Sequence, residues 1–131
     1  RTYISTPKLL GEKGYYTFSM HANTAAFWNR QTMHKSLGYD RFYSKVDYKI
    51  EKENIIGLGL SDKEFFKQSV TKIEKINQSK EKWYGLLIML SNHTPFADVD
   101  KYGEFDLTYK TTIIAATKIT AKIPKIIPVT I

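Results

Sequence analysis

The chain has 131 residues, of which 42% are hydrophobic, 25% charged and 14% aromatic, a balance that suits one folded domain and excludes wholesale disorder or a collagen-like repeat. Its net charge is +7, but from Leu107 to Ile131 there is no acid and four lysines (Lys110, Lys118, Lys122, Lys125), so residues 1–106 hold only three of those charges and most of the basicity that would draw nucleic acid or an anionic surface is a property of the tail. Cysteine is absent, which excludes disulfide scaffolds, thiol nucleophiles, zinc–thiolate clusters and iron–sulfur ligation.

The longest apolar run, Gly85 to Leu90, is far shorter than the roughly 20 residues of a membrane helix. Arg1-Thr2-Tyr3 lacks the basic-then-apolar layout of a signal peptide. A soluble chain is expected, and Arg1 in place of an initiator Met reads as a processed chain or a piece of a longer one.

Thr6-Pro7 reads as an N-cap followed by Pro in the first turn, Leu9 and Leu10 supply an apolar stripe, and Gly14 sits at the C-terminal cap position of a short helix. Tyr15 to Met20 alternates, with Tyr16, Phe18 and Met20 on one side and Tyr15, Thr17 and Ser19 on the other, the period-2 pattern of a strand ending at His21. Asn23 or Thr24 caps a second helix with Ala26, Met33 and Leu37 on its apolar side, stopped by Gly38. Tyr39 to Ile50 reads as loop with a short strand at Arg41 to Tyr43, and Gly57 and Gly59 break the chain. Ser61 and Glu64 form a capping box, after which Phe66, Val70, Ile73 and Ile76 predict an amphipathic helix to about Gln78. Trp83 to Leu90 is almost uninterruptedly apolar, as in a parallel strand covered on both faces, and ends at Ser91-Asn92-His93.

The alternation of strands and helices predicts an α/β layered fold whose mainly parallel sheet contains Tyr15–Met20 and Trp83–Leu90, flanked by helices. Ligands of such sheets lie beyond the carboxyl ends of the strands, where His21 and His93 both fall. Trp28 and Arg30 follow His21 by seven and nine residues, within reach of the same rim. Arg offers a planar fork of donors to phosphate or carboxylate, Trp an apolar wall, and imidazole a hydrogen bond or a proton. Spacing alone leaves a plainer alternative open: Trp28 as helix core, Arg30 as a solvated charge, and His21 and His93 as turn residues. His34, beside Lys35, reads as an exposed helix residue. Asp98 and Asp100, one residue apart, are insufficient for a metal, no His-x-x-x-His or acidic ladder occurs, and Gly57-Leu58-Gly59 lacks the rest of a phosphate loop. No Gly-x-Ser-x-Gly elbow is present.

Taken together, His21-Ala22-Asn23, Phe27-Trp28-Asn29-Arg30, Lys35-Ser36-Leu37-Gly38-Tyr39-Asp40, Gly59-Leu60-Ser61-Asp62-Lys63-Glu64-Phe65-Phe66 and Ser91-Asn92-His93-Thr94-Pro95-Phe96 resemble, in order, the extracellular domain of lipoteichoic acid synthases and related phosphoglycerol transferases of the sulfatase superfamily. The resemblance covers about residues 6–106. It implies a partial alkaline-phosphatase-like fold. In that family a metal-activated Thr attacks phosphatidylglycerol, and glycerol phosphate passes to a growing polymer at the outer face of the bacterial membrane. By the same resemblance His21, Trp28, Arg30 and His93 bind substrate, with manganese or magnesium in the complete domain.

The family's nucleophilic Thr segment, upstream metal-binding acid and downstream Asp-His pair have no counterpart here. The chain is therefore expected to hold no catalytic residue and no metal ligand of its own, and to be inactive alone. Residues 1–107 read as the middle portion of a catalytic domain, and residues 108–131 as a divergent Ile/Thr/Lys tail with the look of a non-native terminus. Two competing functions are a small basic module for single-stranded nucleic acid or an anionic surface, and a sulfatase or phosphatase relative acting on another ester; the resemblance itself implies no nucleic-acid partner.

Overall fold

The computed structural model describes residues 3–93. The chain divides into two units, Arg1–His93 and Thr94–Ile131. The second, with the Thr94-Pro95-Phe96 end of the His93 motif, Asp98, Asp100 and the basic tail, lies outside the described residues.

The elements run α1 (Thr6–Glu12), β1 (Tyr16–Met20), a single 3-10 turn at Phe27–Asn29, α2 (Arg30–Ser36), β2 (Arg41–Tyr43), β3 (Ile55–Ile56), β4 (Gly59–Leu60), α3 (Asp62–Ser79) and β5 (Trp83–Leu87), with two further 3-10 turns between β2 and β3. β1 lies at the centre of a three-stranded sheet of order β2-β1-β5, parallel to both neighbours, with Ser19 beside Phe42 and Phe18 beside Gly85. The expected α/β layering and parallel pairing are therefore present. The ladder continues past the strand ends, since His21 N–H donates to the Tyr43 carbonyl and Ile88 N–H to that of Met20, both at 2.9 Å.

The core gathers Phe18, Met20, Ala22, Tyr48, Leu60, Phe65 and Ile76, each large apolar side chain contributing on the order of 1.5–3 kcal/mol by leaving water. Phe18 lies across its neighbour strand at Gly85, where a Cβ would meet the ring at 2.5 Å. Glycine in mid-strand is thus explained by a ring occupying the space of its missing side chain. The polar side of β1 is buried as well: Thr17 donates its backbone N–H and its hydroxyl to the Asp40 carboxylate at 2.7 and 3.0 Å.

Several expectations need correction. Ser5, not Thr6, caps α1, placing Pro7 at the second helical position. The helix foreseen after Asn23 is broken, because Trp28 and Asn29 both have φ of +54°, and this interruption resets the face that α2 turns inward. Met33 is consequently exposed, while His34, expected at the surface, is only 2% exposed. In α3 the inward face is Phe65, Ser69 and Ile76, and Phe66 and Val70 point outward. Ser69 belongs inside because its hydroxyl meets the buried Tyr48 hydroxyl at 3.1 Å. β5 ends at Leu87 and is half-buried, with Leu86 exposed, instead of covered on both faces to Leu90.

Candidate functional site

The site lies where β1 and β5 end. His21 follows β1 directly, and its Nδ1 is 2.9 Å from the Ile88 carbonyl oxygen just past β5. A carbonyl only accepts, so Nδ1 carries the proton and Nε2 presents a lone pair. Burial lowers the pKa of His21, opposed by the Ile88 bond and reinforced by the positive charge of Arg30. The ring is neutral at pH 7, and at 1% exposure it forms a floor more than a rim.

From His21 the chain turns tightly. Asn23 N–H donates to the His21 carbonyl at 2.7 Å and the Asn23 side-chain oxygen accepts from Thr24 N–H at 2.7 Å. The turn then presents Phe27 and Trp28 stacked at 5.5 Å and 16°. Arg30 places its guanidinium carbon 5.1 Å from the Trp28 ring centre and 5.5 Å from that of Phe27, cation–π contacts that hold a cationic fork against an apolar wall. Trp28 is 71% exposed, so it is not helix core. A left-handed backbone at a bulky residue costs about 1–2 kcal/mol, and such strain clusters where ligands are held. Since α2 has seven residues, the cationic character of this edge rests on the Arg30 fork and not on a long helix dipole.

His93 occupies the turn after β5, with its N–H donated to the Leu90 carbonyl at 3.0 Å. That turn is tied to the start of α3. One Asp62 carboxylate oxygen accepts from Leu90 N–H at 2.9 Å and Ser91 N–H at 3.0 Å, and Ser91 Oγ accepts from Asp62 N–H at 2.9 Å. Sequence reasoning missed this pair. The available signal was an acid in the first helical turn directly after the Ser61 cap, whose hydroxyl accepts from Glu64 N–H at 3.4 Å.

Thus the geometry sets Arg30 against Trp28 and within electrostatic reach of His21, and ties the segment carrying His93 to the same strand-end region through Ile88. Among the described residues no three His, Cys, Asp or Glu side chains assemble as ligands for a metal ion. They do not fit the manganese or magnesium that the resemblance implies, and no step through a metal is assigned to them. What this arrangement presents is a cationic fork beside an apolar wall, groups whose chemistry suits an anion next to a carbon skeleton.

A parallel sheet between helices, with a buried imidazole, an exposed Trp and an Arg fork near its strand ends, defines an α/β layered fold with a cationic rim. A sulfatase family model matches residues 2–122, and the chain belongs to the sulfatase family. Over 96 residues it is 42% identical to lipoteichoic acid synthase 1 of Bacillus subtilis, a match covering 72% of this chain and 15% of that protein. The crystal structure of the lipoteichoic acid synthase LtaP from Listeria monocytogenes is similar with a TM-score of 0.73 and 31% identity over 89% of this chain and 28% of that one. A Vibrio parahaemolyticus protein of the alkaline phosphatase superfamily shares the fold, with a TM-score of 0.66 and 22% identity over 85% of this chain and 26% of that one. The α/β fold is therefore alkaline-phosphatase-like, and the chain spans about 15% of the length of that curated Bacillus relative.

Proposed function

We propose that this chain supplies the substrate-recognition wall of a phosphoglycerol transferase of the lipoteichoic acid synthase kind. Arg30 holds the phosphate of glycerol phosphate, Trp28 and Phe27 cover the carbon skeleton, and His93 approaches from the turn after β5. His21 is the neutral floor beneath the ligand, and its buried Nε2 lone pair suits a hydrogen from an internal water. A phosphate takes two parallel hydrogen bonds from one guanidinium, a geometry Lys cannot reproduce. In the complete protein the donor would be phosphatidylglycerol and the acceptor a glycerol phosphate polymer, at the outer face of the bacterial membrane, with nucleophile and manganese or magnesium held by segments other than the described ones.

The observation that carries this reading is the strained Trp28–Asn29 pair, which holds an exposed indole with the Arg30 guanidinium over its ring, seven residues beyond the buried His21. Titration of glycerol phosphate into the full chain, followed by ligand-observed NMR, tests it. Saturable binding, weakened about tenfold or more by Arg30→Ala as a charge-assisted bond is lost, is expected. Absence of saturable binding, or equal affinity in Arg30→Ala, overturns it. So does manganese-dependent cleavage of a phosphatidylglycerol analogue by this chain at rates comparable with a complete domain.

A further inference from the structure

Four buried side-chain atoms among the described residues lack a hydrogen-bond partner: Ser19 Oγ, His21 Nε2 and both ring nitrogens of His34. Buried polar atoms are almost always satisfied, by protein or by ordered water, so four orphans in three residues call for a common cause. The backbone places them on one face of the sheet. Ser19 and Phe42 are register partners across β1 and β2, so their side chains stand side by side on the same face. The His34 ring stacks on Phe42 at 4.8 Å and 11°, which sets it over that face beside Ser19. His21 follows Ser19 by two residues and so shares its side.

We propose that His34 is a positioning residue: with Ser19 and a bridging water it holds the hydroxyl hydrogen that His21 Nε2 accepts, and so fixes the floor of the site. The donor and acceptor inventory supports one water. His21 offers an acceptor, neutral His34 one donor and one acceptor, and Ser19 a hydroxyl that does both. A water, with two donors and two lone pairs, can give a hydrogen to His21 Nε2 while also bonding Ser19 or His34, and so can bridge these residues. Burial lowers the pKa of His34, as do the positive charge of Arg30 and the repulsion that a protonated His21 would exert, so the ring is neutral and able to accept as well as donate. Tyr39 also packs on the ring, tilted by 54° with the ring centres 5.3 Å apart.

The role of His34 in binding rests on the reading of His21 as part of a glycerol phosphate site, but its effect on His21 is measurable without ligand. In the full chain, His34→Phe keeps the stack on Phe42 and removes both nitrogens, and His34→Gln keeps a donor and an acceptor. Long-range proton–nitrogen NMR reads the His21 ring. The His21 Nε2 signal is expected to move downfield in His34→Phe and to return toward its original position in His34→Gln. Glycerol phosphate affinity is expected to fall about tenfold in His34→Phe and to recover to within about threefold in His34→Gln, the scale of one hydrogen bond. A purely structural His34 gives the reverse ranking, since Phe suits an apolar stack better than Gln. An unchanged Nε2 signal in His34→Phe overturns the proposal. If the unsubstituted chain binds no glycerol phosphate, the function proposed above fails while the Nε2 signal still decides the role of His34. Should His34→Phe not fold, a cross-relaxation signal between a bound water and the His21 or His34 ring of the unsubstituted chain, lost in Ser19→Ala, supports the relay, and its absence from the unsubstituted chain overturns it.

Discussion

Asp62 and Ser91 hold each other reciprocally. The carboxylate of Asp62 accepts the Ser91 backbone N–H at 3.0 Å while the hydroxyl of Ser91 accepts the Asp62 backbone N–H at 2.9 Å. With the Leu90 N–H on the same carboxylate oxygen, the first turn of α3 fixes the turn that carries His93. Asp62→Ala leaves two backbone donors without their acceptor and removes an acid from a helix N-terminus. It is expected to lower unfolding free energy by about 2–3 kcal/mol, measured by urea denaturation. Ser91→Ala, which removes one acceptor, is expected to cost about 1 kcal/mol. Equal stability of Asp62→Ala and the unsubstituted chain contradicts the clamp.

Phe18 across Gly85 gives a packing prediction. A Cβ on Gly85 would meet the Phe18 ring at 2.5 and 2.6 Å, and that ring is fully buried in the core. Gly85→Ala is expected to destabilise by about 1–3 kcal/mol, the usual cost of overpacking. Gly11→Ala, where a Cβ meets nothing within 4 Å, is expected to be neutral or stabilising because Ala favours helix. Thermal denaturation of both variants reads the contrast.

Trp28 separates stability from binding. Glycine adopts φ of +54° without steric penalty, and the indole is mostly solvated. Trp28→Gly is therefore expected to leave stability equal or raise it by up to about 1 kcal/mol, while weakening glycerol phosphate binding. A loss of stability above that scale with unchanged binding would mean that the indole supports the fold and not the ligand.

The folded-state pKa values of His21 and His34 both lie below the ordinary 6.5, first because of burial. Below pH 6.5 the unfolded chain then binds more protons than the folded one, so stability is full above that value and is lost as pH falls toward the folded pKa values. Urea midpoints are expected to drop between pH 7 and pH 5, and His34→Phe is expected to flatten that dependence. At the alkaline end burial raises Tyr48 from 10.0 to about 12. The folded chain keeps that proton where the unfolded chain loses it, so stability declines as pH rises from 10 to about 12. Tyr48→Phe removes this contribution, read against the phenolate absorbance.

The sheet was legible because Phe18 and Met20 alternate and because glycines mark the chain reversals. Gly14 and Gly38 do take positive φ, at +82° and +87°. The inward faces of α2 and α3 were not. Periodicity assumes an uninterrupted helix, and the left-handed Trp28–Asn29 pair breaks the phase before His34. In α3 a count of apolar residues passes over Ser69, whose place inside depends on the Tyr48 hydroxyl 21 residues away. Within the site, His21 at the end of β1 follows from pattern alone. The placing of Arg30 over the Trp28 ring comes from a backbone conformation that spacing does not encode, and the Asp62–Ser91 clamp joins residues 29 apart.

The bond from His21 to Ile88 spans 67 positions of the sequence, and every β1–β5 pair shares that separation. Contacts so distant along the chain close late and slow the search for the native state. During synthesis the imidazole leaves the ribosome long before its carbonyl acceptor is made. A nascent chain that has formed α1, β1 and α2 therefore still lacks the partner that sets the His21 proton, and that tautomer is fixed only when β5 joins β1.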